Sequence, residues 1–174
     1  MSTIDQEANK IIYEKAFKQL QDFLEYYNTK NKLTFEAKLT SIASVVKNLI
    51  PDFFFVGFYV VVDELDSQGN KTGNKVLEVG PYQSTILATP RIAIGKGVCG
   101  TAWQEAKTQV VNNVKECKNY IACDNETLSE VVIPVFNKTT NEVVAVFDID
   151  STTLNRFTPF DVEQLEKITA LVYQ

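Results

Sequence analysis

Histidine does not occur anywhere in the 174 residues. Its absence removes the side chain most used as a general base and as a zinc ligand, so Ser-His-Asp hydrolysis, Cys-His proteolysis and histidine-based metal sites are excluded. Nowhere do eighteen apolar residues occur together, and Met1 to Lys10 show no basic stretch followed by an apolar run. Neither a membrane span nor an export signal is therefore expected, and the chain reads as cytoplasmic. Lysine and arginine never cluster, and the net charge of −5 leaves no basic face for phosphates, so nucleic acid is not an expected partner. Cysteine is scarce: Cys99, Cys117 and Cys123 are the only three. Without an export signal they do not form a permanent disulfide framework, and a buried cysteine is most often inert apolar filler.

The chain does have an ordinary globular composition, 45% apolar and 22% charged, at a length that suits a single domain over residues 1–174. Residues 4–28 place Ile11, Ile12, Phe17, Leu20, Phe23, Leu24 and Tyr27 at helical spacing, which predicts an amphipathic N-terminal helix within residues 1–30. That helix could pair with its twin in a homodimer, and intramolecular packing explains it equally well. Thr34 caps a second helix with Phe35, Leu39, Ile42, Val45, Val46 and Leu49 on its face, stopped by Pro51. Phe53 to Val62 is a dense β-branched and aromatic run, expected to be a central strand. A turn-forming loop over residues 63–74 leads to a partner strand, Lys75 to Val79, and Gly80-Pro81-Tyr82 is expected to break the chain.

Arg91 to Ile94 predicts a short strand, the glycine-rich loop Gly95 to Gly100 leads into a helix over about Val98 to Ala106, and Thr108 to Val111 is a further strand. Residues 112–127 are polar, with room for one helical turn. Glu130 to Phe136 and Val143 to Ile149 form a second hairpin. Thr158 and Pro159 open a closing helix with Val162, Leu165, Ile168, Thr169 and Val172 on one face. Terminal helices around antiparallel hairpins make an α+β domain, a GAF-like antiparallel sheet with the helices packed on it.

Chemistry concentrates between residues 95 and 151. Gly95, Gly97 and Gly100 let backbone approach a ligand closely, and a helix starting here directs unpaired N–H groups into the same space. With Lys96 beside it, Cys99 should ionise more easily than a free thiol; otherwise it packs inward as a small apolar group. Cys123 precedes Asp124, whose carboxylate disfavours a thiolate. Cys117, within Lys115-Glu116-Cys117-Lys118, reads as an exposed bystander. Glu130 begins an otherwise apolar strand, while Asp148 and Asp150 alternate at the end of another and so share a face. If Glu130 faces them, three carboxylates converge and at least one takes up a proton near neutral pH.

Six spaced motifs then resemble the free methionine-R-sulfoxide reductases, single GAF domains that reduce the R sulfoxide of the free amino acid. They are Gly57-Phe58-Tyr59, Gly80-Pro81-Tyr82-Gln83, Gly95-Lys96-Gly97-Val98-Cys99-Gly100-Thr101-Ala102, Ile121-Ala122-Cys123-Asp124, Ser129-Glu130 and Asp148-Ile149-Asp150-Ser151. The resemblance implies Cys123 as nucleophile and Cys99 as second redox cysteine. It also implies that Glu130, Asp148 and Asp150 hold the substrate ammonium or protonate the sulfoxide oxygen, with Phe55 and Tyr59 at the substrate. It implies a thioredoxin-type reductant and neither cofactor nor metal. Local electrostatics favours Cys99 as the more acidic thiol, against the assignment of Cys123.

Two departures stand out. The family carries a third, resolving cysteine shortly after Gly-Pro-(Phe/Tyr)-Gln, where Leu87-Ala88-Thr89-Pro90 has none. Resolution must pass to Cys99, to Cys117 or to an external thiol. Phe55 stands where the family has a tryptophan walling the methyl pocket. The missing cysteine also keeps open a non-catalytic, small-ligand-binding GAF module.

Overall fold

The computed structural model describes residues 3–121 and 124–174, the first four of them as backbone only. The chain begins with helix α1, Thr3–Asn28, and helix α2, Phe35–Leu49, the latter capped by the Thr34 side chain, which accepts a hydrogen bond from the Ala37 N–H. Strands β1, Phe53–Leu65, and β2, Lys71–Gln83, form a long hairpin. The short strand β3, Arg91–Ile92, leads into helix α3, Gly97–Glu105, and strand β4, Gln109–Val111. A single 3-10 turn, Val114–Glu116, interrupts the polar segment that follows. Strands β5, Ser129–Phe136, and β6, Val143–Ser151, and helix α4, Pro159–Ala170, complete the order.

All six strands make one antiparallel sheet in the order β3-β2-β1-β6-β5-β4, so the expected central position of β1 is met and β6 shares it. Period-two alternation sends Val56, Phe58, Val131, Ile133, Val135, Phe147 and Ile149 to one face, where α1, α2 and α4 cover them. Buried Leu39 and Ile42 of α2 and Leu165 and Ile168 of α4 belong to this main core, each worth about 1.5–3 kcal/mol of burial. The opposite face carries Phe55, Tyr59, Val132 and Val146 under α3.

Three expectations change. The hairpin turn is shorter than residues 63–74, because β1 runs on to Leu65 and β2 starts at Lys71, tied by the Asp66 side chain accepting the N–H groups of Gln68 and Asn70. Gly80-Pro81-Tyr82 does not end the strand. A register shift opposite Phe58, between the pairs Tyr59↔Val79 and Gly57↔Tyr82, absorbs the extra residue as a bulge, where a proline costs no ladder bond. On α1 the buried stripe is Tyr13, Ala16, Leu20 and Leu24, whereas Ile11, Phe23 and Tyr27 are exposed.

Tyr13 is in the core because its hydroxyl has a partner there: it donates to Asp161 Oδ1 at 2.8 Å, and Arg156 Nη1 donates to the same oxygen at 3.0 Å. Asp161 also closes the capping box of α4 with Thr158. This polar cluster joins the first helix to the last.

Candidate active site

Two cross-strand rows build the floor of the site. In one, Phe55 of β1 lies opposite Asp150 of β6, which lies opposite Glu130 of β5. In the next, Gly57 lies opposite Asp148, which faces Val132. Alternation puts Asp148 and Asp150 on the face beneath α3, as their spacing predicts, and the pairing of Glu130 with Asp150 brings the third acid to the same face. All three are buried and line one cavity with Ile92, Gly97, Val98, Cys99, Tyr120 and Ile121.

Gly57 is glycine because of what surrounds it. A Cβ there would meet the Tyr82 Cβ at 2.4 Å and the Phe55 ring at 3.0 Å, so its bare backbone admits the stack of Phe55 on Tyr82, centroids 5.4 Å apart. Phe55 and Tyr59 belong to the apolar cluster that also holds Cys99, although neither lines the cavity itself.

Helix α3 forms the roof. Its leading turn is held by Gly95 N–H to Gly100 carbonyl at 2.8 Å and Gly100 N–H to Lys96 carbonyl at 2.9 Å. Gly100 approaches the Ala93 carbonyl so closely that a Cβ would lie 2.4 Å from its oxygen. This close approach sets Cys99 inward, 3% exposed. Residues 119–121 lie at the mouth: Asn119 Nδ2 donates to the Gly95 carbonyl at 2.8 Å, and Tyr120 and Ile121 supply the remaining wall.

Electrostatics inside the cavity runs toward protonation. Burial pushes Asp148 up to about 6, even though hydrogen bonds from Cys99 and Glu130 pull it down. Asp150 is raised well above the carboxylate range by burial, then by the charges of Asp148 and Asp124. Cys99 is raised as well, by burial first and then by Asp148 and Glu130. The expected easily ionised thiol at Cys99 is thus corrected: Lys96 precedes the helix with its side chain exposed and makes no capping bond, while the groups facing the sulfur are acids. Cys117 is not an exposed bystander either, because it is half-buried against the same apolar cluster. Cys123 lies outside the described residues. Its neighbour Asp124 accepts from the backbone N–H of Glu126 at 2.5 Å and of Thr127 at 2.7 Å, which pins the turn entering β5.

Gly57, Ile92, Val98, Tyr120 and Ile121 were not marked by chemistry in the sequence. Motif context signals Gly57, Val98 and Ile121, while Ile92 and Tyr120 carry no such signal.

A family model described as GAF domain matches residues 33–173. The chain belongs to the GAF domain family. This GAF domain is 35% identical over 144 residues to the free methionine-R-sulfoxide reductase of Escherichia coli, covering 79% of this chain and 79% of that protein. It is 37% identical over 126 residues to the protein of the same name in Saccharomyces cerevisiae, covering 72% and 64%. The X-ray structure of free methionine-R-sulfoxide reductase from Neisseria meningitidis in complex with its substrate superimposes with a TM-score of 0.75 at 30% identity, covering 92% of this chain and 85% of that one. The expected kinship with the free methionine-R-sulfoxide reductases therefore holds. Among the described residues no helix is long and apolar enough to cross a membrane.

Proposed function

We propose that this protein is an oxidoreductase that reduces free L-methionine (R)-S-oxide to methionine with thiols as the electron source. The observation that carries the reading is the convergence of Glu130, Asp148 and Asp150 with Cys99 in one buried cavity, in a chain whose relatives bear that name. A sulfoxide oxygen is a poor leaving group until it is protonated, and a buried carboxyl group raised toward neutrality is suited to supply that proton. A second acid, still ionised, can hold the substrate ammonium.

In the proposed sequence the Cys123 thiolate attacks the sulfoxide sulfur while the oxygen takes a proton from the acid cluster. Methionine leaves and a sulfenic acid remains on Cys123. A second thiol, Cys99 or Cys117, attacks that sulfur; water departs and a disulfide forms. An external dithiol of the thioredoxin type returns both thiols to the reduced state. The cavity is narrow, so entry of an amino acid requires it to widen.

Purified protein with dithiothreitol or thioredoxin should consume the R epimer and spare the S epimer. Absence of R-epimer loss in protein with Cys123 intact rejects the reading. The second reading, a ligand-binding module without chemistry, is favoured by the lack of a cysteine in Leu87-Ala88-Thr89-Pro90. Tight binding of an unoxidised amino acid, unchanged by the thiol redox state, would support it.

A further inference from the structure

The donors Cys99, Glu130 and Asp148 have ligand atoms that all lie within 4.8 Å of one another, and all three side chains are buried. A tetrahedral zinc ion with bonds of about 2.0–2.3 Å places its sulfur and oxygen ligands about 3.4–3.6 Å apart, so contraction of about an ångström closes this set around a metal. One thiolate with two carboxylates is a donor combination that zinc accepts without histidine. A second observation points the same way. Asp148 is 6% exposed and lines the cavity; Cys99 and Glu130 hydrogen-bond to its carboxyl group, yet its Oδ1 has no partner among the described residues. A buried carboxylate oxygen without a partner is costly, and a cation is the ligand that would satisfy it. The cavity has room for about one water-sized body between these groups, which suits a single ion.

From this geometry we infer a binding site for one thiophilic divalent cation of the zinc class at Cys99, Glu130 and Asp148, with Asp150 as a further carboxylate on the cavity wall. A bound ion neutralises a cluster of like charges and fixes the Cys99 sulfur as thiolate. The consequence for activity rests on the reductase reading: an ion held by these acids occludes the substrate's place, so zinc should act as a competitive inhibitor.

The test is titration of the reduced protein with cobalt(II), followed by the thiolate-to-cobalt charge-transfer absorption, and with zinc(II) as competitor. A Cys117→Ser/Cys123→Ser chain, whose one remaining thiol is Cys99, should give the band at one equivalent, and adding Cys99→Ser should abolish it. In a second measurement, independent of those serine variants, Asp148→Asn in the chain with all three thiols should weaken cobalt binding at least about tenfold. A band that disappears in the double serine variant places the metal on Cys117 or Cys123 and overturns the proposal. So does cobalt affinity unchanged by Asp148→Asn. If cobalt binds as stated and no reductase activity exists under any condition, the metal site stands and the functional reading fails. If the enzyme is active and zinc inhibits it without competing with substrate, the occlusion is wrong.

Discussion

Glu130 and Asp150 are directly paired across β5 and β6, two acids opposite one another on a buried face. Cross-strand like charges disfavour folding, and burial makes them costlier still. Such a pair is retained against stability only where another role requires it.

Asp150→Asn is therefore expected to make the fold more stable while disabling it. Asn at this position removes a group whose pKa is raised well above the carboxylate range by burial first and then by the Asp148 charge, so the folded state no longer carries that ionisation penalty at neutral pH. Loss of an acid from the proton-donating cluster should lower kcat/KM by about 10²-fold. Denaturant melts and steady-state kinetics on the same preparation check both signs. A variant both less stable and fully active would contradict this account.

The acids set opposite slopes of stability against pH. Asp148, raised to about 6, binds its proton more tightly folded than unfolded. Between the unfolded carboxylate range near 4 and that value the native state holds the extra proton, so stability falls as pH rises through the window. Asp161 behaves in the reverse sense. Burial alone would raise it, yet hydrogen bonds from Thr158, Tyr13 and Arg156 outweigh that and hold it below the usual value. Its contribution is complete above about pH 4 and disappears as pH drops through the depressed folded value. With a chelator present, the melting temperature should peak in weak acid and decline on both sides. Asp148→Asn should flatten the decline toward neutrality, and a wild-type profile that climbs steadily from pH 5 to 7 is the contrary result.

Gly57→Ala tests whether the bare backbone opposite Asp148 matters. The added Cβ cannot coexist with the Tyr82 Cβ at 2.4 Å, and both are anchored in paired strands. The cost should be about 1–3 kcal/mol, with the Phe55 and Tyr82 stack displaced. If the stack supports the substrate wall, KM rises more than kcat falls. A variant with wild-type stability and KM would mean that β1 and β2 separate there without consequence.

Much of this arrangement is legible in the chain because it follows from short-range rules. Thr158-Pro159 marks the start of α4, Pro51 the end of α2, and the two-residue spacing of Asp148 and Asp150 settles their common face. What escapes the sequence is long-range. The buried Asp161 carboxylate accepts a hydrogen bond from Tyr13, 148 residues away, and neither residue announces the other. The sequence neighbours of Cys99, Lys96 and the helix start, point to an acidic thiol, whereas the acids that govern it arrive from β5 and β6. The Gly80-Pro81 break is hidden by a bulge whose register depends on the partner strand.

Tyr13→Phe isolates the link between α1 and α4. The ring keeps its packing and its edge-on contact with Phe160, while Asp161 loses one donor and keeps those from Arg156 and Thr158. The expected destabilisation is about 1–2 kcal/mol by denaturant unfolding. Asp161→Ala should cost more, about 3–5 kcal/mol, because it strands the buried Arg156 guanidinium.

The two described cysteines should separate the halves of turnover. Cys99 faces acids that hold its proton, so as a resolving thiol it must first lose that proton to Asp148 or its neighbours. Attack on a Cys123 sulfenic acid by Cys99 should therefore quicken with rising pH, and Cys99→Ser should slow disulfide formation by about tenfold or more. The first methionine released per protein should be nearly unaffected in that variant. Rapid-quench counting of methionine, with mass spectrometry of the disulfide trapped after one turnover, distinguishes the steps. If the trapped peptide joins Cys123 to Cys117 and Cys99→Ser recycles at the wild-type rate, the half-buried thiol at Cys117 carries out the resolving step and Cys99 serves the pocket alone.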